Sequence, residues 1–489
     1  MVAGGRLTDW ISLGVLASWV PADAIDDAVE ATGKGERRRG GKLPPRVVAY
    51  LVMALALFAD EDYEEVAARL AGTFADWDGW EEGWDRAPTS GAVTQARQRL
   101  GPEPLRELFA QVARPVADMV TAGAFLGRRR LMSIDGMEWD VPDTAANAAF
   151  FGYTGTAGDG APGTFPKARM VTVNECASHA AVLAAIGPAA SKGSGEQSLA
   201  RQLYPRLEQD WLLIADRNSY NWADWGAAAG TGAALLWRVR SDLRLPVLEL
   251  LPDGSCSSVL LTPKITRPES RERVIGAARA GEALDPARAR RVRVIEYEVP
   301  DRDGKDELFT LVTTITDPRE APAASLAAAY HERWEHERAN AQLKTMLRGP
   351  GRILRSQSPE MVEQELWGYL LTHYAISALA CTAATAAGID PDRVKPKRTL
   401  RAVRRRVADP ALPPGRPGSA LEQVMADITS PRHLNQRRER SYPRVVKRGR
   451  HNAYRVKRPG DHGTRYHAPP TISLIHLPKP QAADLIKIS

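Results

Sequence analysis

The chain is poor in cysteine. Cys176, Cys256 and Cys381 are the only three, and they lie far apart. That spacing excludes a disulfide framework and a zinc cluster, and it suits a reducing compartment. The opening MVAGGRLTDWISLG has no basic segment ahead of an apolar core, so no secretory signal is expected. The longest apolar run, 47–59, is too short to span a bilayer. A cytoplasmic protein is therefore expected. No repeat of solenoid period is present. No nucleophile elbow supports a Ser-His-Asp enzyme. The glycine-rich stretch 154–164, TGTAGDGAPGT, fits no phosphate-cradle spacing and reads as a connector.

What remains is a globular composition, 44% hydrophobic and 26% charged, over 489 residues. At ~100–200 residues per domain this predicts two to four domains. The net charge of +7 and pI near 9.3 favour a polyanionic partner, and the placement of the charge matters more than its sum. It is concentrated in 395–406 and 432–458. The second tract holds eleven Lys/Arg against one acid, Glu439, with Tyr442 and Tyr454 interleaved. Such a tail would add salt-dependent affinity for phosphates. Abundant Ala, Arg, Gly and Asp suit a GC-rich bacterial genome.

Residues 1–125 read as helical. Pro44-Pro45 starts a helix over 46–58 that is apolar on nearly all sides, as a buried bundle helix is. Thr89 or Ser90 caps a helix that Gly101 ends. Its polar face offers Thr94, Gln95, Arg97, Gln98 and Arg99, types that bind phosphates and base edges. This is either half of a helix-turn-helix reader or an ordinary exposed helix. Two apolar strands then end in acids: 130–135, closing on Asp135, and 211–216, closing on Asp216. Between them lie strands at 168–174 and 179–186 and a helix at 196–207. A strand at 234–240 precedes a β-rich stretch, 241–322, whose role can be purely structural. A long helix, 358–387, ends at Gly388.

The stretch that organises the rest is 330–344, YHERWEHERANAQLK, free of Gly and Pro and expected to be one helix. At ~100° per residue, Arg333, Glu337 and Lys344 fall within about 60° of Tyr330. A stripe of mixed charge can be a solvated ion-pair face. It can also be a site where a carboxylate holds a metal while cations grip phosphates. Glu332 and Glu335 fall about 140° and 200° from Glu337 and should not reach the same site. His331 and His336 read as solvent or core groups. Asp140 and Asp143 are expected past the end of the first strand, as turn residues. Asp135, Asp216 and Glu337 arrive from three different elements, as two-metal phosphoryl chemistry requires. Mg²⁺ suits an all-carboxylate set.

At these residues the chain resembles the DDE transposases of the insertion-sequence-4 family. Tyr330, Arg333, Glu337 and Lys344 match the Y-x2-R-x3-E-x6-K signature. Ile134-Asp135-Gly136 is similar to the first-acid motif and Ala215-Asp216-Arg217-Asn218 to the second, with Ser219 where an aromatic is common. The resemblance runs over most of the chain. It implies an α/β, RNase H-like catalytic core with a β-rich insertion, an all-α N-terminal DNA-binding domain and a helical, basic C-terminal region. The corresponding boundaries are 1–125, 126–240, 241–322, 323–390 and 391–489. It implies Asp135, Asp216 and Glu337 as catalytic ligands of two Mg²⁺ ions, with Mn²⁺ able to substitute. Tyr330, Arg333 and Lys344 would contact the DNA backbone, alongside Arg97 and Arg99 of the N-terminal helix. Phe309 aligns with the aromatic that holds a flipped base in related members; a plain core role is the alternative, and Trp237 is a second candidate. The implied activity is hydrolysis and strand transfer at inverted repeats, into target DNA, by a homodimer in a synaptic complex. A related metal nuclease and a non-catalytic DNA-binding descendant are the alternatives.

Overall fold

A computed structural model of the chain describes residues 13–36, 43–71, 88–154, 163–190, 195–299, 307–407, 418–435 and 473–474. Most of the glycine-rich connector and nearly all of the basic tail lie outside them. The chain divides into two compact units. The first comprises Met1–Ala124, Asp135–Leu203 and Glu335–Gln436; the second comprises Phe125–Ile134, Tyr204–Trp334 and Arg437–Ser489. The strands are β1 (Phe125–Leu126), β2 (Arg129–Asp140), β3 (Lys167–Glu175), β4 (Ala181–Pro188), β5 (Trp211–Ala215), β6 (Ala234–Arg238), β7 (Glu249–Leu250), β8 (Cys256–Leu261), β9 (Ala289–Val299), β10 (Glu307–Thr313) and β11 (Ser473–Leu474). Together with the helices they make a mixed α/β protein. Among the described residues no helix is long and apolar enough to cross a membrane.

The first unit is a helical bundle with the β3–β4 hairpin. Its spine is the helix Pro359–Ala386, 28 residues and so about 42 Å long at 1.5 Å per residue. It ends as the sequence suggests, with Gly388 in the left-handed region at φ 64. Against it lies Pro45–Leu57, buried from Val47 through Leu57. The two backbones meet at Gly368, where a Cβ would stand 2.7 Å from Val52 Cγ1 and 3.1 Å from its carbonyl oxygen. Only glycine permits that approach.

Ser90–Leu100 has the expected caps, with the Thr89 hydroxyl accepting the Ala92 amide. Its polar face divides differently. Arg99 is exposed, but Arg97 is only 1% exposed. The Arg97 guanidinium donates to Gln364 Oε1 at 2.9 Å, to Ser356 Oγ at 3.1 Å and to the Tyr63 hydroxyl. Gln364 Nε2 returns bonds to the carbonyls of Arg97 and Gly101. Arg97 is a core anchor, so the expected DNA contact is corrected here. A helical wheel cannot tell an arginine satisfied by buried partners from one facing solvent.

The second unit is built on a sheet. β5 is buried along its whole length and runs parallel to the first half of β2, Arg130–Ser133 pairing Trp211–Ile214. β6 runs parallel to β5, and β10, β9, β8 and β7 follow in antiparallel order. Unbroken apolar runs such as WLLIA suit parallel strands covered on both faces. The stretch expected to be β-rich also carries a helix, Pro268–Arg279, which alternation-based reading overlooked.

A buried ion pair braces this unit. Arg293 is paired with Asp253 and also donates to Ser255 Oγ and to the Ala321 carbonyl, both at 2.7 Å. Asp253 accepts the Ala323 amide at 2.7 Å, at the start of the helix Ala323–His331. Burial pushes the Asp253 carboxyl up. The Ser255 and Ala323 bonds and the Arg293 charge outweigh that and hold it below the usual carboxylate value.

Candidate active site

In the second unit, Asp216 follows β5 directly, as the strand pattern predicts. Its Oδ1 accepts the Asn218 amide at 2.9 Å and the Ser219 hydroxyl at 3.2 Å, which fixes the carboxylate in a tight turn. Ala215 pairs with Trp237 across the parallel strands, so the next residues, Asp216 and Arg238, are neighbours at the strand ends. Arg238 was not singled out from sequence, although its place after an apolar strand parallel to β5 could have flagged it. Its guanidinium lies 3.9 Å from the Phe309 ring centroid and donates to the Leu308 carbonyl.

Tyr330 is buried edge-on to Phe309 at 6.0 Å. Burial raises its hydroxyl pKa. Arg333, which hydrogen-bonds it, and Arg238 pull it down, while Asp216 pushes it up. Tyr330 thus sits amid one carboxylate and two guanidiniums. Phe309 is only 3% exposed and stacks on Tyr297 at 5.2 Å. So placed, it has no open face for a flipped base, and the expected base contact is corrected to a core role. Trp237 is likewise buried, edge-on to Trp225. His331 is core, bonded to the Tyr297 hydroxyl at 3.2 Å.

In the first unit, Asp135 is half-buried and accepts the Gly136 amide at 2.9 Å. It does not end its strand: β2 continues through Asp140. Burial is continuous up to Ile134 and alternates from Asp135 onward, which made the strand look finished. Asp140 is therefore a strand residue and not a turn residue. Glu138, within the same strand, pairs with Arg169 at 2.6 Å. Gly136 has a purpose of its own. A Cβ there would meet Glu196 Cγ and Cδ at 2.7 Å. Glu196, on the helix Glu196–Leu203, therefore packs beside the first-acid motif, an acid that no sequence pattern indicated.

Glu337 is exposed on the helix Trp334–Ala341, whose neighbours Glu335 and His336 are buried. His336 Nε2 meets the Thr172 hydroxyl at 3.1 Å, a core role. Lys344 is half-buried. Burial lowers its pKa, with help from Arg348, against the pull of Asp140 and Glu138. The stretch 330–344 is not one helix. Ala323–His331 ends in bonds three residues apart, from the Glu332 amide to the Ala329 carbonyl and from Arg333 to Tyr330. Trp334–Ala341 is α-helical, and Gln342–Leu347 is a π-helix in which Arg348 N reaches Leu343 O, five residues back. Without Gly or Pro to mark these changes, the wheel assumed a constant turn.

Asp135, Asp216 and Glu337 offer oxygen donors alone, the donor type that hard divalent cations prefer. Two of the carboxylates are oriented by local amides, as metal ligands usually are. Among the described residues the group that brings potential ligand atoms within 4.8 Å of one another is a different one, His179, Glu335 and Asp392. There, however, Arg338 Nη1 already lies 2.9 Å from Glu335 Oε2 and 3.1 Å from Asp392 Oδ1. A guanidinium supplies the positive charge that a cation would bring.

Residues 10–110 match the family described as insertion element 4 transposase N-terminal. Over 438 residues the chain is 28% identical to "Transposase InsG for insertion sequence element IS4" of Escherichia coli (strain K12), covering 88% of this chain and 91% of that protein. Both comparisons make the chain similar to insertion element 4 transposases. A piggyBac transposase synaptic complex with hairpin DNA is similar over 86% of this chain and 82% of that one, at 9% identity and a TM-score of 0.40. The N-terminal match reaches into the helix Glu103–Val112 and includes the helix whose Arg97 is buried.

Proposed function

We propose that the protein is a transposase that cuts DNA at the ends of its element and joins them to target DNA, with Asp135, Asp216 and Glu337 as the catalytic acids. The observation that carries this is the arrangement in the second unit. A carboxylate oriented by its own turn lies beside Arg238, and Tyr330 is held among Asp216, Arg238 and Arg333. An acid with two cations suits a phosphodiester approached by a metal ion. Parallel β2, β5 and β6, with one acid inside β2 and one after β5, support an RNase H-like core. The division at 125, 240, 322 and 390 belongs to the same proposal.

The three acids would hold Mg²⁺, with Mn²⁺ as a substitute. Such ions, held there, would supply Lewis acidity at the phosphate and lower the pKa of the attacking hydroxyl. The protein's own groups do the rest. Arg333, with Tyr330 bonded to it, and Lys344 position the DNA backbone. Arg99 and the basic tail add sequence-independent affinity. DNA with the terminal inverted repeats is the proposed partner, held by a homodimer.

The test uses purified protein, Mg²⁺ and DNA carrying the element's own ends. Asp135→Asn, Asp216→Asn and Glu337→Gln should each abolish strand cleavage while end binding survives. Cleavage retained by any one of them refutes its role. Specific end binding without cleavage by the unmutated chain would leave only a DNA-binding function.

A further inference from the structure

Behind Glu337, on the buried side of the same helix, lies a closed group of four side chains. Glu335 is 1% exposed and Asp392 7%. Glu335 Oε2 accepts His179 Nε2 at 2.7 Å and Arg338 Nη1 at 2.9 Å. Asp392 Oδ1 lies 3.2 Å from the same His179 nitrogen and 3.1 Å from the same Arg338 nitrogen. Both donors thus bridge both acceptors. The quartet ties the helix Trp334–Ala341 to the β3–β4 turn, which carries His179, and to the turn Pro391–Arg393, which carries Asp392.

A second chain of bonds gives the quartet a direction. His179 Nδ1 meets Gln342 Nε2 at 3.0 Å, and Gln342 Oε1 meets His373 Nε2 at 3.1 Å. Burial lowers the His373 pKa to about 3, so that ring is neutral. Its Nδ1 is buried with no partner among the described residues. A bare nitrogen there costs less than an orphaned N–H, so the proton belongs on Nε2 and is donated to Gln342. Gln342 then donates to His179 Nδ1, and His179 must donate its Nε2–H to the carboxylates. His179 keeps a left-handed backbone, φ 62, rare for a residue with a Cβ and sustained only where the surroundings demand it. Gln342 opens the π-helix that carries Lys344.

We propose that Glu335 is a positioning residue: the His179–Glu335–Arg338–Asp392 quartet, continued through Gln342 and His373, sets the rotation of the Trp334–Ala341 helix and so the aim of Glu337 and Lys344. This rests on the assignment of Glu337 as a catalytic acid. Groups that orient metal-binding carboxylates typically change metal affinity or activity by about 10–100-fold when removed.

The experiment compares Glu335→Ala, Glu335→Gln and Asp392→Asn with Thr372→Ala, which removes a buried hydroxyl bond to the Met53 carbonyl in the same unit. Two measurements are made: hydrogen exchange of the 334–347 peptide without metal or DNA, and cleavage against Mg²⁺ concentration. Glu335→Ala should speed exchange in that peptide and raise the Mg²⁺ needed for half-maximal cleavage about 10-fold or more. Glu335→Gln should recover most of both, and Thr372→Ala should move neither at an equal loss of melting temperature. Equal effects of Glu335→Ala and Thr372→Ala would overturn the proposal. So would a Zn²⁺-induced rise in melting temperature that His179→Ala abolishes, since the quartet would then be a metal site. If the unmutated chain cleaves no DNA, the exchange measurement alone still decides the quartet's role, separately from the proposed function.

Discussion

Arg97 and Arg99 are two residues apart on one helix and do opposite things. Arg97 spends its guanidinium on Gln364, Ser356 and Tyr63 inside the first unit. Arg99 faces solvent. Arg97→Ala should therefore lower stability by about 1–3 kcal/mol, from the hydrogen-bond partners left behind, in a denaturant melt. The salt dependence of DNA binding by the folded variant should stay as it was. Arg99→Ala should leave the melt unchanged and make the plot of log affinity against log salt shallower by ~0.9, because one phosphate is no longer neutralised. The reverse pattern would restore Arg97 as a DNA-binding residue. Sequence showed both as arginines on a polar face. Only the arrival of Gln364, 267 residues later, distinguishes them.

At the scale of elements, Asp253 and Arg293 brace the start of Ala323–His331, the helix that ends in Tyr330 and His331. Asp253→Ala would leave Arg293 buried without its counter-charge and should cost about 3–5 kcal/mol. The pair also has a pH signature. The Asp253 carboxyl is depressed in the folded state. Its contribution is therefore fully present above the unfolded carboxylate value of about 3.9 and is lost as pH falls through the lower folded value. Stability measured down from pH 5 should fall less steeply in Asp253→Ala than in the unmutated chain; equal slopes would remove the pair from the acid response.

Much of this level was legible in the sequence. WLLIAD predicted a buried strand with Asp216 after it, and the caps at Thr89, Gly101 and Gly388 fell where expected. Asp135 was found, but its strand was cut short. The apolar run gives way there to alternation, and alternation beside an acid resembles an ending. Glu196 and the quartet were invisible. His179 and Glu335 are 156 positions apart, and no local period encodes such a meeting.

Across the whole molecule, the polypeptide passes from one unit to the other between Ile134 and Asp135 and again between Trp334 and Glu335. Both passages fall within two residues of a proposed catalytic acid. The basic character is less available than composition suggests. On the helix Pro396–Arg406, Arg398 and Arg405 pair with Asp427, Arg404 donates to the Leu57 carbonyl and Arg406 to Gln423. The turn Pro431–His433 leaves Arg432 exposed, and beyond it Asn435 N bonds the Arg393 carbonyl at 2.7 Å. Deleting 437–458, which leaves that turn intact, should weaken DNA binding most at low salt and flatten its salt dependence. Equal affinity at low salt would take the tail out of the interface.

Between Tyr330 and Arg348 the backbone bonds lengthen from three residues, to four, to five. A π-turn holds one residue more than the α-turn it replaces. The chain has therefore taken in a surplus residue between Glu337 and the end of the segment without breaking the helix. Lys344 faces its present direction because of that surplus. Deleting a single residue here, Thr345 for instance, would let the segment relax to α while the residues beyond it keep roughly their present face. The spacing from Glu337 to Lys344 is thus a count tuned to a widened coil, and the same count on an ordinary helix would point the lysine elsewhere.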